Sequence, residues 1–168
     1  ALGAGSVTAW QMARAYSVFA NGGYLVQPFF ILKIVDDRGN PLALANPKRA
    51  GDESLRVIDP RNAFIMDHMM QDVTRYGTAA RATRLGRSDL AGKTGTTQKV
   101  IDGTYSNDHY VAFFAGYAPS RDPRVMTLVI VDDPDGKLYH GGEAAAPVFA
   151  EATAKALQVL GVPPKKGV

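Results

Sequence analysis

The first run of apolar residues at helical spacing begins just after Thr8. Its members are Met12, Tyr16 and Phe19. The hydroxyl of Thr8 can cap the start of a helix while Gln11, three positions later, reaches back in a capping box. The Asn-Gly-Gly sequence at residues 21–23 ends the pattern. We therefore expect a helix whose apolar face lies in the core.

Two later segments also have helical spacing. Asp59 is the expected N-cap of the second helix, with Pro60 in its first turn and Gly77 at its end. The apolar residues expected to pack along this helix are Met66, Met69, Met70 and Val73. A last helix is expected at about residues 145–160. Its predicted buried stripe consists of Ala145, Phe149, Ala152, Ala156 and Leu160.

The remaining patterned segments are typical of β-structure. Residues 28–44 predict a hairpin around a turn at residues 36–40, away from any chemistry. Three strands are expected at about residues 90–100, 109–118 and 124–132, joined by turns rich in Gly, Asp and Pro. Because these connections are too short for crossover helices, the strands must be antiparallel neighbours. Helices packed on an antiparallel sheet give an α+β fold.

Length and composition indicate one ordinary globular domain. The chain has 168 residues, of which 46% are hydrophobic and 21% charged. Its longest aliphatic run, residues 125–131, is too short to span a bilayer. We assign the domain to residues 1–162 and expect residues 163–168 to form a disordered tail.

Charge and ligand-type residues point away from nucleic acid, metals and cofactors. Arg75, Arg81, Arg84 and Arg87 crowd together, but no aromatic residues interleave with them, so a solvated loop is favoured over a nucleic-acid surface. The chain has no cysteine. His68 and His109 have no acidic or histidine partner at ligand spacing. We predict neither a metal site nor a cofactor.

Residues 93–96 read Lys-Thr-Gly-Thr and combine a cation, hydroxyl donors and a glycine within a β-prone segment. A strand of this kind can hold a peptide along its edge while binding the peptide's carboxylate. Lys-Thr-Gly is also the third signature of serine acyl-enzymes that react with penicillin, after Ser-x-x-Lys and Ser-x-Asn.

The flanks of this motif extend the likeness over nearly the whole chain. Residues 5–23 and 77–97 resemble the helix and the strand region of the transpeptidase domain of penicillin-binding proteins. Up to about Thr97 the likeness is to bifunctional class A enzymes, whereas residues 109–119 and 132–134 look like class B division enzymes. The resemblance implies the penicillin-binding transpeptidase fold, which is also the serine β-lactamase-like fold.

The other two signatures are absent from this sequence. No serine is followed three places later by a lysine, and no Ser-x-Asn occurs. The chain thus resembles the C-terminal portion of a transpeptidase domain, and we expect it to be inactive alone. Its expected partners are an N-terminal portion with both missing signatures, the peptidoglycan stem peptide and β-lactam antibiotics. The resemblance also implies a location at the periplasmic face of the bacterial inner membrane, through an anchor outside this chain.

The resemblance assigns roles within the Lys-Thr-Gly-Thr segment. Lys93 would supply positive potential and hydrogen bonds to the second catalytic serine, and the backbone N–H of Thr96 would donate to the oxyanion. The hydroxyls of Thr94 and Thr96 would bind the substrate carboxylate, while Gly95 leaves room for the substrate backbone. Plain alternation places Lys93 on the opposite face from both threonines. The resemblance implies that a twist of this edge strand brings them to one cleft.

A second group of candidate substrate-binding residues lies before the last helix. Residues 138–142 read Leu-Tyr-His-Gly-Gly and resemble a stretch of class B enzymes that precedes their last helix. Tyr139 and His140, together with Tyr110, would form an aromatic wall for the acyl side chain. A surface turn is the structural alternative for this stretch.

Three other functions fit parts of the sequence. A non-catalytic penicillin-recognising sensor or interaction domain would keep the fold and lose the nucleophile. A serine β-lactamase would require a deacylating carboxylate, for which no residue is a candidate. A nucleotide-binding P-loop would need a glycine at position 87, where Arg87 stands, and a helix after Thr94.

Overall fold

The computed structural model describes residues 5–136 and 138–164, excluding the side chains of residues 84 and 85. Its strands are grouped into two antiparallel sheets, with helices before and after each group, as predicted for an α+β fold. The helices are α1 (Ala9–Ala20), α2 (Pro60–Arg75), α3 (Gly141–Ala144) and α4 (Ala146–Val159). The strands are β1 (Lys33–Val35), β2 (Pro41–Leu44), β3 (Ala91–Ile101), β4 (Thr104–Ala118) and β5 (Val125–Asp132). Two short 3-10 helices span Glu53–Leu55 and Ala80–Leu85.

The central sheet has the predicted antiparallel pairing, in the order β3-β4-β5. Among the described strands, β3 therefore lies at one edge and pairs only with β4. The register places Lys93 opposite Ala115 and Thr94 opposite Phe114. β4 begins at Thr104 rather than near 109, because a tight turn at Asp102-Gly103, both with positive φ, lets the polar residues that follow continue the ladder.

Local capping signals are confirmed for the first two long helices. Thr8 and Gln11 form the predicted capping box of α1. The carboxylate of Asp59 accepts from the backbone N–H of Arg61 at the start of α2. The predicted packing of the α2 methionines is only partly correct, since Met70 is buried but Met69 is exposed.

The first core layer lies where α1 and α2 meet one face of the sheet. Tyr16 and Phe19 are half-buried and pack against buried Met70 and Tyr117. The hydroxyl of Tyr117 donates to the carboxylate of Asp67 at 2.6 Å. Burial and this carboxylate raise the pKa of Tyr117. α2 is therefore joined to the sheet by a buried polar contact as well as by apolar packing.

The second core layer joins α4 to the opposite face of the sheet. Phe149 of α4 contacts Phe114 of β4, with ring centroids 4.2 Å apart. Beyond Phe149 the predicted stripe is wrong at Ala152 and Leu160, which are exposed, whereas Ala156 is half-buried. The buried positions of α4 are Ala146, Phe149, Ala150, Thr153 and Leu157. Thr153 can face the sheet because its hydroxyl bonds the Thr127 hydroxyl at 2.9 Å.

The β1–β2 hairpin forms a separate two-stranded sheet whose residues are all exposed. Its turn is stabilised by the carboxylate of Asp36, which accepts from the backbone N–H groups of Arg38 and Asn40. The hairpin is remote from the Lys-Thr-Gly-Thr segment along the chain and makes its own local structure. This agrees with its prediction as a satellite element.

Arg87 contradicts the expectation of a solvated arginine loop. Its side chain is only 7% exposed and forms two hydrogen bonds to Asp89, at 2.8 and 3.0 Å. It also donates to the backbone carbonyls of Val162 and Pro163. The predicted tail thus begins with a residue that is hydrogen-bonded to the domain, and residues 165–168 lie outside the described residues.

Candidate active-site strand

Lys93, Thr94, Gly95 and Thr96 occupy consecutive positions of the edge strand β3. The strand continues to Ile101, so the segment after Thr94 is extended and not helical. A P-loop requires a helix at this point, because the helix N-terminus helps to bind the phosphates. The geometry therefore rules out the nucleotide-binding alternative.

Lys93 and Gly95 share the face of β3 that is directed towards the α1 and α2 layer. The Lys93 side chain is exposed, and its ammonium donates to the backbone carbonyl of Thr94 at 2.7 Å. A Cβ atom at Gly95 would collide with the ring of Phe113 on β4. The aromatic ring therefore fills the space that the missing side chain leaves, which sequence reasoning had assigned only to the substrate backbone.

The two threonine hydroxyls lie on the other face, as plain alternation predicts. Thr94 is 8% exposed, and its hydroxyl oxygen lies 3.0 Å from that of Thr78. Thr96 is exposed, and its hydroxyl accepts a 3.0 Å hydrogen bond from the backbone N–H of Gly141. An N–H can only donate, so the hydroxyl proton of Thr96 remains available to an acceptor such as a carboxylate.

A pair of glycines allows α3 to approach β3 closely. A Cβ atom at Gly141 would lie 2.5 Å from the Gly95 carbonyl oxygen, and a Cβ atom at Gly142 would collide with the Thr78 carbonyl oxygen. Sequence reasoning included this pair only in the stretch before the last helix. The signal available was a Gly-Gly pair at the start of a helix rich in small residues, which is typical of close backbone contact.

The three predicted aromatic residues lie together. Tyr110 stacks on Tyr139, with ring centroids 4.3 Å apart and planes inclined by 23°. The ring of His140 contacts Tyr139 at a centroid distance of 4.3 Å. His140 is also the N-cap residue of α3, which begins with Gly141. The aromatic rings therefore adjoin the glycine that bonds Thr96, although the role of this wall in substrate binding stays a prediction.

A charged cluster beside Tyr110 was missed by sequence reasoning. The ammonium of Lys99 lies 2.9 Å from Asp132 and 2.8 Å from Asp133, and His109 Nδ1 lies 3.2 Å from Asp133. Lys99 lowers the pKa of Asp133, and hydrogen bonds to both aspartates raise the pKa of Lys99. The acidic partner of His109 is distant in sequence, which is why its spacing did not reveal it.

In the part of the chain that the structure describes, no group of three or more His, Cys, Asp or Glu side chains is arranged so that it could hold a metal ion. The charged cluster beside Tyr110 has two carboxylates and one imidazole, but Lys99 places its ammonium between the carboxylates. The site therefore consists of hydroxyls, backbone groups, aromatic rings and one lysine of the strand.

Comparison with known proteins agrees with this arrangement. Residues 1–154 match the family model of the penicillin binding protein transpeptidase domain. The chain belongs to the penicillin-binding protein transpeptidase family. This confirms the resemblance predicted from the Lys-Thr-Gly-Thr segment and its flanks.

Two curated relatives are similar to this chain over most of its length. Penicillin-binding protein 1A of Neisseria flavescens is 46% identical over an alignment of 170 positions, which covers 99% of this chain and 20% of the relative. The probable peptidoglycan D,D-transpeptidase PenA of the same organism is 34% identical over 93% of this chain and 35% of its own length. The chain thus spans about a fifth of the length of the first relative.

Solved structures show the same fold. Penicillin-binding protein 3 of Mycobacterium tuberculosis, in complex with aztreonam, is 29% identical, with a TM-score of 0.81, over 98% of this chain and 38% of that one. Penicillin-binding protein 1A of Haemophilus influenzae is 30% identical, with a TM-score of 0.76, over 99% of this chain and 28% of that one. The penicillin-binding transpeptidase fold is therefore confirmed.

Proposed function

We propose that this chain provides the carboxylate-binding strand of a peptidoglycan D,D-transpeptidase that acts through a serine acyl-enzyme. The observation that supports this most directly is the hydrogen bond from Gly141 N–H to the Thr96 hydroxyl. It leaves the hydroxyl proton of Thr96 free on an edge strand, where a stem peptide can lie alongside the backbone. The family match supports the same reaction class.

In this reaction a serine outside this chain attacks the carbonyl carbon between the two terminal D-alanines of a stem peptide. The terminal D-alanine leaves, and an amine of a second stem peptide then displaces the serine. The backbone N–H of Thr96 is one of two donors to the oxyanion that forms at each step. The hydroxyls of Thr94 and Thr96 bind the carboxylate of the terminal D-alanine.

Lys93 contributes charge to this site. Its side chain starts on the face of β3 opposite to the two threonine side chains, but its ammonium donates to the backbone carbonyl of Thr94. A cation here favours the approach of a carboxylate and can donate to the serine of Ser-x-Asn. The aromatic rings of Tyr110, Tyr139 and His140 form a wall for the acyl side chain.

β-Lactam antibiotics would occupy the same site. Their carboxylate takes the position of the D-alanine carboxylate, and their ring carbonyl takes that of the scissile peptide. Acylation of the serine then blocks the enzyme. Penicillin-binding protein 3 of Mycobacterium tuberculosis, which has the same fold as this chain, forms a complex with the antibiotic aztreonam.

We assign the site to the periplasmic face of the bacterial inner membrane. Cross-linking of cell-wall peptides takes place there, and the relatives are bacterial penicillin-binding proteins. Within the described part of the chain, no helix is long and apolar enough to cross a membrane.

Intact mass spectrometry of a complete transpeptidase domain carrying this chain tests the proposal. After incubation with penicillin we expect one covalent adduct, located by peptide mapping on the serine of Ser-x-x-Lys. Transfer of a D-Ala-D-Ala peptide to an amine acceptor should occur without the antibiotic. An adduct without any transfer would favour the sensor domain, and no adduct at all would contradict both functions.

A further inference from the structure

Thr78 lies next to the proposed carboxylate site, and no role follows for it from the Lys-Thr-Gly-Thr motif. It follows α2 and precedes the 3-10 helix at Ala80–Leu85. Its hydroxyl oxygen is 3.0 Å from that of Thr94, so the two hydroxyls form one hydrogen bond in which either can be the donor. Thr78 is exposed, whereas Thr94 is only 8% exposed.

The direction of this hydrogen bond decides what Thr94 can do. A hydroxyl has one proton to donate and can accept two hydrogen bonds. If Thr94 donated to Thr78, it would present only lone pairs to an approaching carboxylate. If Thr78 donates to Thr94, the single proton of Thr94 is free for the carboxylate, as the proton of Thr96 is.

We propose that Thr78 is a positioning residue for carboxylate recognition, because its hydroxyl donates to Thr94 and thereby directs the Thr94 proton to the ligand. This inference rests on the proposed function of the strand. Thr78 then does for Thr94 what the backbone N–H of Gly141 does for Thr96. A bound carboxylate would itself select this direction, since the opposite one leaves two acceptors facing each other.

The backbone around Thr78 is held in place by packing from three sides. The Gly142 backbone approaches so closely that a Cβ atom there would collide with the Thr78 carbonyl oxygen. The N–H of Ala79 donates to the Val73 carbonyl at 3.2 Å. Arg81 forms a 3.3 Å ion pair with Glu143 of α3. The backbone that carries Thr78 is therefore held between the end of α2 and the start of α3, next to Thr94.

Three variants of a complete transpeptidase domain carrying this chain test the inference. Thr78→Val keeps the shape and removes the hydroxyl, and Thr78→Ser restores the hydroxyl. Thr83→Val is the matched control, because the Thr83 hydroxyl lies in the next turn and donates to the Ala80 carbonyl instead. The second-order acylation rate constant is measured with penicillin and with its methyl ester.

We expect Thr78→Val to slow acylation by the free acid about 3- to 10-fold, the effect of one neutral hydrogen bond. Acylation by the ester should be unchanged, since the ester offers no carboxylate for the Thr94 proton. Thr78→Ser and Thr83→Val should match the parent domain with both compounds. Thermal unfolding of all variants establishes that they are folded.

Other outcomes would overturn the inference. If Thr78→Val slows acid and ester equally, or lowers the melting temperature with a parallel loss for both, Thr78 has only a structural role. If neither compound is affected, Thr78 does not direct the Thr94 proton. Failure of the parent domain to react with either compound would instead contradict the proposed function itself.

Discussion

At the scale of single residues, Thr96 combines two groups with separate roles. Its backbone N–H is the proposed oxyanion donor, and its hydroxyl is the proposed carboxylate donor. The hydroxyl oxygen accepts a hydrogen bond from the Gly141 N–H, so the hydroxyl proton of Thr96 is free to donate to a ligand. A substitution that removes the hydroxyl but keeps the backbone therefore separates the two roles.

Thr96→Ala in a complete domain should slow acylation by penicillin. We expect the activation free energy to rise by roughly 1.5 to 3 kcal/mol, the value of a hydrogen bond to a charged group. The loss should shrink when the ligand's carboxylate is esterified, because the hydroxyl then has no charged partner. Rate constants for acid and ester decide the point. Equal slowing of both would show that this hydroxyl does not bind the carboxylate.

Lys93→Ala should lower the acylation rate constant about 10²-fold or more, because it removes the cation of the catalytic network. The same measurement with Lys155→Ala is the control, since Lys155 lies on an exposed position of α4. A normal rate for Lys93→Ala, or an equal loss in the control, would remove Lys93 from the proposed mechanism.

At the scale of elements, the contact between α3 and β3 depends on the absence of a side chain at Gly141. A Cβ atom there would meet the backbone carbonyl oxygens of Gly95 and Phe113, which cannot rotate away. Gly141→Ala should therefore lower the free energy of unfolding by about 1 to 3 kcal/mol, as for other overpacked sites. It should also displace the N–H that bonds Thr96.

Urea unfolding of a complete domain measures this cost. Gly5→Ala is the control, because a Cβ atom at Gly5 meets no atom within 4 Å and its φ is not positive. A Gly141→Ala variant as stable as the Gly5→Ala variant would mean that α3 can move away from β3 without loss.

The charged cluster at the far end of β3 should stabilise the sheet over a defined pH range. The pKa of Asp133 lies below its usual 3.8, so its contribution is present above that value and is lost as pH falls through the folded pKa. The pKa of Lys99 lies above its usual 10.5, so its contribution is lost as pH rises through the higher folded value. Between these limits both partners are charged.

Lys99→Met should therefore lower the melting temperature of a complete domain at neutral pH. The difference from the parent should shrink as pH falls from 3.8 through the lower folded pKa of Asp133, and as pH rises from 10.5 through the higher folded pKa of Lys99. Melting curves across this range test it, with Lys155→Met as the control. A difference that does not change with pH would indicate lost packing and not lost charge.

At the scale of the whole molecule, the chain contains the Lys-Thr-Gly-Thr strand but neither Ser-x-x-Lys nor Ser-x-Asn. The isolated chain should therefore form no covalent adduct with a β-lactam. Intact mass spectrometry after incubation with penicillin checks this, with the complete domain as the positive control. One stoichiometric adduct on the isolated chain would show that another of its residues acts as nucleophile.

Features that depend on neighbouring residues were predictable from the sequence. The capping box of Thr8 and Gln11 and the N-cap of Asp59 are hydrogen bonds between residues two or three positions apart, so local sequence determines them. Short connections likewise determine that β3, β4 and β5 pair as antiparallel neighbours. The Lys-Thr-Gly-Thr motif and its flanks were sufficient to identify the family.

Contacts between distant residues were decided only by the tertiary structure. Thr78 and Thr94 are 16 positions apart, and Gly141 and Thr96 are 45 positions apart, so no local pattern pairs them. Thr153 of α4 was overlooked as a buried residue because its partner, Thr127, lies on another element. Strand register and helix packing choose such partners, and a buried hydroxyl or charge is tolerated only where that choice supplies one.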